Sequence, residues 1–377
     1  MDSPGPLARL ALSTICNEPD RRTPSHFFNI MEHSAIERLG GGEPGTYRQD
    51  PHGLYCAMVR AMPSASVDQY LAENPLSMES HGYEAPILGA TTGAARIVVD
   101  DVEIDSPEAV VTHMERWVFP RLADEAASFD APAFAAAMLA SEADLQTRLG
   151  PNVLKIPYGW GRFPCFAYGE YGYEHYFSAY ALYPDVIERH FRLQADLAAT
   201  VNRAVAAAWT EAGLPAMLRL DHDMADSRGI LVRPSSLDQL WFPHFASSIE
   251  PLRRAGIRLV WHCDGNVSDM VSGLIECGVS GFQGFQYECG VDYPALCRRR
   301  ASDGSSLLIF AGVSVTRTLP YGSPTDVRRE VDWLVDNGPA TGLFLATSSS
   351  VAPGVPYENL LAMRDAFRHY QTVGRSG

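Results

Sequence analysis

Two short segments concentrate the groups that can do chemistry: Asp221-His222-Asp223 and His262-Cys263-Asp264. His262 and Asp264 are two residues apart, so on a strand end both face one side while Cys263 faces the other. An imidazole and a carboxylate, joined by Glu288 from the next segment, make a nitrogen and oxygen donor set suited to zinc or a similar divalent ion. A sharp turn at Gly265 would instead bring Cys263 inward as a thiolate. Polar catalysis without a metal and a hydrogen-bonded histidine that merely holds its loop are the competing readings. In the other triplet, Asp221 can orient a substrate or act as general base, with Asp223 and His222 as further titratable groups. Its bland alternative makes Asp221 a loop cap and Asp223 a solvated acid. A third segment, Pro157-Tyr158-Gly-Trp160-Gly-Arg162-Phe-Pro164, is followed by Tyr168, Tyr171, Tyr173, Tyr176, Tyr180 and Tyr183. Tyr158, Trp160 and Gln286 could wall a pocket with polar tips, and Arg162 could clamp a substrate carboxylate. Ordinary packing of a long loop explains the same aromatics.

These groups need a scaffold that brings them together. Short apolar runs occur at 153–156, 216–220, 257–261, 281–285, 307–310 and 343–346, with an earlier one at 26–30. Continuous apolar runs suit parallel strands covered on both faces. Helical patterns separate them. Ser323-Pro324-Thr325-Asp326 supplies an N-cap, a proline in the first turn and an acid, and Asn337-Gly338 stops that helix. Asn266 precedes another that ends at Gly278, and Pro234-Ser235 opens a third with a kink expected at Pro243. Repeated strand–helix units point to an α/β fold, a (β/α)8 TIM barrel in preference to a doubly wound sheet, because no Gly-x-Gly-x-x-Gly follows a strand. In a barrel, reactive groups collect at the C-terminal ends of the strands. The three segments above all follow such runs. The first 150 residues are less regular, with an exposed hairpin or edge strand at 95–104 and an alanine-rich helical stretch at 122–148. With no linker or repeat, the whole of 1–377 reads as one elaborated domain whose most regular part is about 151–370.

Composition narrows the function. The chain has 377 residues, 46% hydrophobic and 20% charged, which excludes disorder and coiled coil. Thirty basic against 45 acidic residues leave a net charge of −15, which repels nucleic acid. No apolar stretch is long enough to span a membrane, and no secretory signal opens the chain, so the expected location is cytoplasmic. Seven cysteines without a Cys-x-x-Cys pair read as reduced thiols. Lys155 is the sole lysine and hence the sole Schiff-base candidate.

Asp221 with Gly229-Ile230-Leu231 and Arg233-Pro234-Ser235, the run from Gly256 through His262, Asp264 and Gly265 to Val267, Glu276-Cys277-Gly278-Val279, and Pro356-Tyr357-Glu358-Asn359-Leu360 resemble the uroporphyrinogen decarboxylase-like superfamily. The likeness covers about 150–370, with a fainter match at Arg22-Thr23-Pro24. It implies a (β/α)8 barrel. It also implies either porphyrinogen decarboxylation or zinc-dependent methyl transfer between a corrinoid-carrying partner protein and a thiol. The family's early Arg-Gln-Ala-Gly-Arg-Tyr segment is replaced here by Arg22-Thr-Pro-Ser-His-Phe-Phe-Asn29, so the arginines that bind uroporphyrinogen's carboxylates are missing. The methyltransferase branch uses His-x-Cys and a later Cys as zinc ligands. Here Asp264 takes the second place, and Ser348 or Ser349 stands near the third. A two-thiolate zinc site is therefore not available in the family's positions, and the remaining shell suits polarising an oxygen or a carboxylate.

The leading expectation is a metal-assisted methyl or one-carbon transferase, with His262, Asp264, Glu288 and Cys263 as candidate zinc ligands and Asp221, Asp223 and His222 as candidate catalytic groups. Arg162, Tyr158, Trp160 and Gln286 are the candidate substrate contacts. A small-molecule substrate, a corrinoid protein and a second copy of the chain are the partners considered, with nucleic acid and membrane set aside. A decarboxylase of a smaller acid and a non-catalytic ligand-binding barrel are the alternatives.

Overall fold

The computed structural model describes residues 3–73 and 96–375. Its strands are β1 (His26–Phe27), β2 (Ser66–Val67), β3 (Val98–Val99), β4 (Val102–Glu103), β5 (Leu154–Lys155), β6 (Met217–Asp221), β7 (Ala225–Asp226), β8 (Gly229–Ile230), β9 (Arg258–Gly265), β10 (Val279–Phe285), β11 (Leu308–Val313) and β12 (Leu343–Thr347). The antiparallel pairs β3–β4 and β7–β8 are short hairpins, the first being the one expected near 95–104. The remaining strands are parallel and form a three-stranded sheet, β1-β2-β5, and a five-stranded sheet, β6-β9-β10-β11-β12. Single bridges link the outer edges of the two sheets, Ser25 with Leu345 and Ile30 with Val351 on one side and Tyr158 with Arg219 on the other. The result is an α/β fold with parallel sheets, and among the described residues no continuous ladder runs across either seam.

Alternation along each strand sorts its side chains into two layers. Leu259 and Trp261 of β9 and Ile309 and Val313 of β11 join the large core between strands and outer helices. Val260, Leu308, Phe310, Phe344 and Ala346 point the other way into a second core with Leu154, Ile156 and Met217. Helix Pro6–Ile15 closes that inner core through Ala8, Ala11 and Ile15. Every alternate position that continues the inner face toward a strand's C-terminal end must therefore meet its counterparts from the other strands.

The helices follow their local signals. Pro324–Asn337 opens on a full capping box, with Ser323 and Asp326 each serving the other's backbone N–H. The stretch 122–148 is two helices, Phe119–Ser128 and Ala131–Leu149. The kink expected at Pro243 is a complete break. Pro234–Leu240 ends at Trp241, and Phe242–Arg254 starts anew with Pro243 in its first turn, where a missing N–H costs nothing.

Candidate functional site

On the inner face of β9, Val260 lies in the apolar core, and His262 and Asp264 follow above it. Asp223, just beyond β6, completes a cluster: one ligand atom from each of Asp223, His262 and Asp264 lies within 4.8 Å of the others. The hydrogen bonds fix each member. His262 is buried, and its Nδ1 bonds to Gln283 Oε1. An amide oxygen only accepts, so Nδ1 carries the proton, and in the neutral ring Nε2 keeps its lone pair. Gln283 is itself held, donating to Ser348 O at 3.3 Å. Asp223 Oδ1 accepts from the Asp264 N–H at 2.9 Å. Asp264 Oδ2 accepts from Ser349 Oγ at 3.0 Å, and Asp264 Oδ1 is buried with no hydrogen-bond partner. Burial pushes the Asp264 carboxyl up to about 6, with Asp223 and Asp221 adding to the shift against His262 and Ser349.

Asp221 borders this cluster. Its Oδ1 lies 3.7 Å from His262 Nε2, and its Oδ2 accepts from Tyr158 Oη at 2.9 Å and from Arg219 at 2.6 Å. Arg219 also reaches Asp68 Oδ2 at 2.6 Å, and Asp68 Oδ1 lies 3.2 Å from His26 Nε2. Burial opposes ionisation of Asp68, yet Arg219 and His26 hold its carboxyl well below the usual range.

The structure therefore brings together Asp221, Asp223, His262, Asp264 and Tyr158. It does not bring the other expected groups to the cluster. Cys263 faces the helical side, where Sγ accepts from the Met224 N–H at 3.2 Å and burial raises the thiol's pKa, so Gly265 does not turn it inward. Glu288 accepts from Ser314 Oγ at 2.6 Å and Thr316 Oγ1 at 2.9 Å, and it organises the loop after β11. His222 Nε2 accepts from the Phe166 N–H at 2.9 Å, and burial lowers its pKa to about 4. Gln286 accepts from the Gly265 N–H at 3.1 Å. Arg162 is half-exposed and paired with Glu125 at 2.5 Å, so its guanidinium is not a clamp in the cluster. Trp160 donates to Glu142 Oε1 at 2.7 Å, and the buried Lys155 pairs with Glu142 at 2.8 Å.

Sequence reasoning missed Arg219, Asp68, Gln283 and Phe28, although two of them carried a signal. Arg219 is a charge inside the apolar run 216–220, and Gln283 is a polar residue inside the run 281–285. Period two then places Arg219 on the same face as Asp221.

No family model matches the chain, and no protein of curated function matches it in sequence. Among solved structures, a methyltransferase from Methanosarcina mazei is similar over 97% of this chain and 98% of its own, with a TM-score of 0.57 and 16% identity. At that identity the likeness is one of fold. It spans both chains almost end to end. Among the described residues, no helix is long and apolar enough to cross a membrane.

Proposed function

We propose that this chain is a metal-dependent methyltransferase on a closed barrel of eight parallel strands, with the single bridges marking where the sheets meet. The observation that carries the reading is the Asp223–His262–Asp264 cluster, in which Asp264 Oδ1 is buried and without a hydrogen-bond partner, 3.9 Å from His262 Nε2. A buried acceptor left unpaired is costly, and a cation satisfies it. One nitrogen and two carboxylate donors fit zinc or a related divalent ion. Once bound, such an ion supplies Lewis-acid charge to an oxygen or sulfur of the methyl acceptor.

The chain's own residues set the rest of the site. Gln283 holds the His262 tautomer, Ser349 and the Asp264 backbone N–H hold the two carboxylates, and Asp221 Oδ1 stands beside them to take the acceptor's proton. The family resemblance supplies the donor class, a methyl group on a corrinoid carried by a partner protein. The charge balance argues against a decarboxylase acting on a small acid. Asp68, Asp221, Asp223 and Asp264 surround the site, Arg219 is committed to two of them, and Arg162 is paired elsewhere. Neither arginine is left to clamp a carboxylate substrate.

The test is metal analysis of purified, untagged protein beside its His262→Ala variant, with circular dichroism to confirm folding. About one divalent ion per chain, lost in the variant, is the expected result. A wild-type protein that takes up no divalent ion when loaded, or a folded variant that keeps its ion, overturns the reading.

A further inference from the structure

Arg219 is fully buried, its side chain only 2% exposed, on the inner face of β6 between Met217 and Asp221. Its guanidinium is held from two segments, by Asp221 on its own strand and by Asp68 and Gln69 just beyond β2. Nε donates to Asp68 Oδ2 at 2.6 Å, one terminal nitrogen donates to Asp221 Oδ2 at 2.6 Å, and the other reaches Asp68 Oδ1 and Gln69 Oε1, each at 3.4 Å. Two rings lie against it, Tyr158 at 4.5 Å and Phe28 at 4.8 Å. Phe28 is in turn stacked on the imidazole of His262, with centroids 5.8 Å apart and planes tilted by 22°. Tyr158, Arg219, Phe28 and His262 thus form one continuous column across the seam between the two sheets, and it ends on the ring whose Nε2 faces Asp221.

Stability alone does not explain such an arrangement. Desolvating a guanidinium and two carboxylates costs several kcal/mol, and well-packed apolar side chains often serve as well or better. What apolar side chains cannot do is hold an ionised carboxylate at a fixed angle. Arginine's planar fork holds two carboxylates at once, and its flat face stacks on aromatic rings, whereas lysine is a single point charge.

We propose that Arg219 is a positioning residue with two effects on the candidate site. It anchors Asp221 through Oδ2, so that Oδ1 stays toward His262, and through Phe28 it sets the plane of the His262 ring. The inference rests on the reading of Asp223, His262 and Asp264 as a metal cluster, and it concerns how that cluster is kept in shape.

The test uses the full chain and its Arg219→Lys variant, which keeps the charge but loses the fork and the flat face. Two readouts are taken beside the melting temperature: zinc affinity by chelator competition, and the ring-nitrogen resonances of His262 in metal-free, 15N-histidine-labelled protein, assigned by their absence in His262→Ala. Zinc affinity is expected to fall 10- to 100-fold, as it does when a ligating histidine loses its outer support, and the His262 signals to shift or broaden. A variant that melts lower yet keeps wild-type His262 signals and zinc affinity overturns the proposal, because Arg219 would then be only a structural clamp. If Arg219→Lys fails to fold, Phe28→Leu cuts the column while leaving both ion pairs, and unchanged His262 signals there also overturn it. Absence of zinc binding by the wild type would count against the metal reading alone, because the resonance measurement in metal-free protein still decides the role of Arg219.

Discussion

Gly284 holds φ at +84° at an irregular step of β10, and a methyl group built on it would come within 2.5 Å of Nδ1 and 2.6 Å of Cε1 of His262. Ordinary contact begins near 3.4 Å, so Gly284→Ala must push the imidazole away by ~0.9 Å or deform the strand. Nδ1 is the atom that bonds to Gln283, so the same displacement breaks the contact that orients Nε2. The left-handed backbone costs an alanine about 1 kcal/mol, and the lost hydrogen bond adds about 1 kcal/mol more. At an unfolding entropy of roughly 2 cal/mol/K per residue, those terms together lower the melting temperature by about 2–3 °C. The effect on the site is larger, a 10- to 100-fold loss of zinc affinity. Gly213→Ala separates the two terms, since Gly213 has φ +61° and nothing within 4 Å of the added methyl. The control should lose only the backbone term and keep its zinc affinity. Differential scanning calorimetry and chelator competition on both variants decide the matter. If Gly284→Ala matches the control in both, His262 is not held by the close approach of β10, and the account of its orientation is wrong.

Cys263→Ala should leave metal content unchanged and cost about 1 kcal/mol through the lost Met224 contact, and a fall in bound metal would instead place the sulfur in the cluster. Lys155→Met strands the buried Glu142 carboxylate with only the Trp160 N–H, at a cost of about 3 kcal/mol in urea unfolding. Adding Glu142→Gln should restore most of it, and a single variant as stable as wild type would refute the pairing. Burial raises the Glu330 carboxyl from 4.5 to about 7 while its Oε1 accepts from the Ser314 N–H at 2.9 Å. A carboxyl that holds its proton more tightly when folded contributes stability below pH 4.5, and that contribution is lost as the pH rises through 7. Glu330→Gln should flatten this fall, on the order of 1–2 kcal/mol after allowing for partial solvent screening, and an unchanged pH profile of the unfolding midpoint would refute it.

Seven of the eight parallel strands were legible as apolar runs, while β2, only Ser66–Val67, was too short to stand out, and the C-terminal ends of the runs located the polar groups. That was enough to find Asp221, Asp223, His262 and Asp264. What failed was the assignment of partners. Glu288 and Cys263 have the right chemistry near the right strand end, but Glu288 is taken by two hydroxyls of the β11 loop, and the pleat turns Cys263 outward. Arg162 reads as a clamp in the sequence because nothing there shows that Glu125, on another helix, lies within 2.5 Å of it. The supporting residues Asp68 and Phe28 come directly after strands far earlier in the chain. Only the parallel pairing of β1 and β2, and the bridge between Tyr158 and Arg219, bring them to Asp221 and His262.

Two charge clusters in this molecule, one buried and one opening to the surface at Asp223, show what separates a structural ion pair from a candidate site. Lys155, Glu142 and Trp160 balance one cation against one anion, and burial simply lowers the lysine's pKa against the pull of Glu142. The cluster around His262 is not balanced. Asp68 and Asp221 share Arg219, while Asp223 and Asp264 face each other and a histidine with no fixed cation of their own. The cost is visible at Asp264, whose buried Oδ1 has no hydrogen-bond partner, with His262 Nε2 3.9 Å away, and whose carboxyl is driven up to about 6. A fold selected for stability alone would relieve it with a single amide or hydroxyl in place of a carboxylate. A divalent cation relieves it as well, and it does so while leaving the donors the chain has aimed at one point.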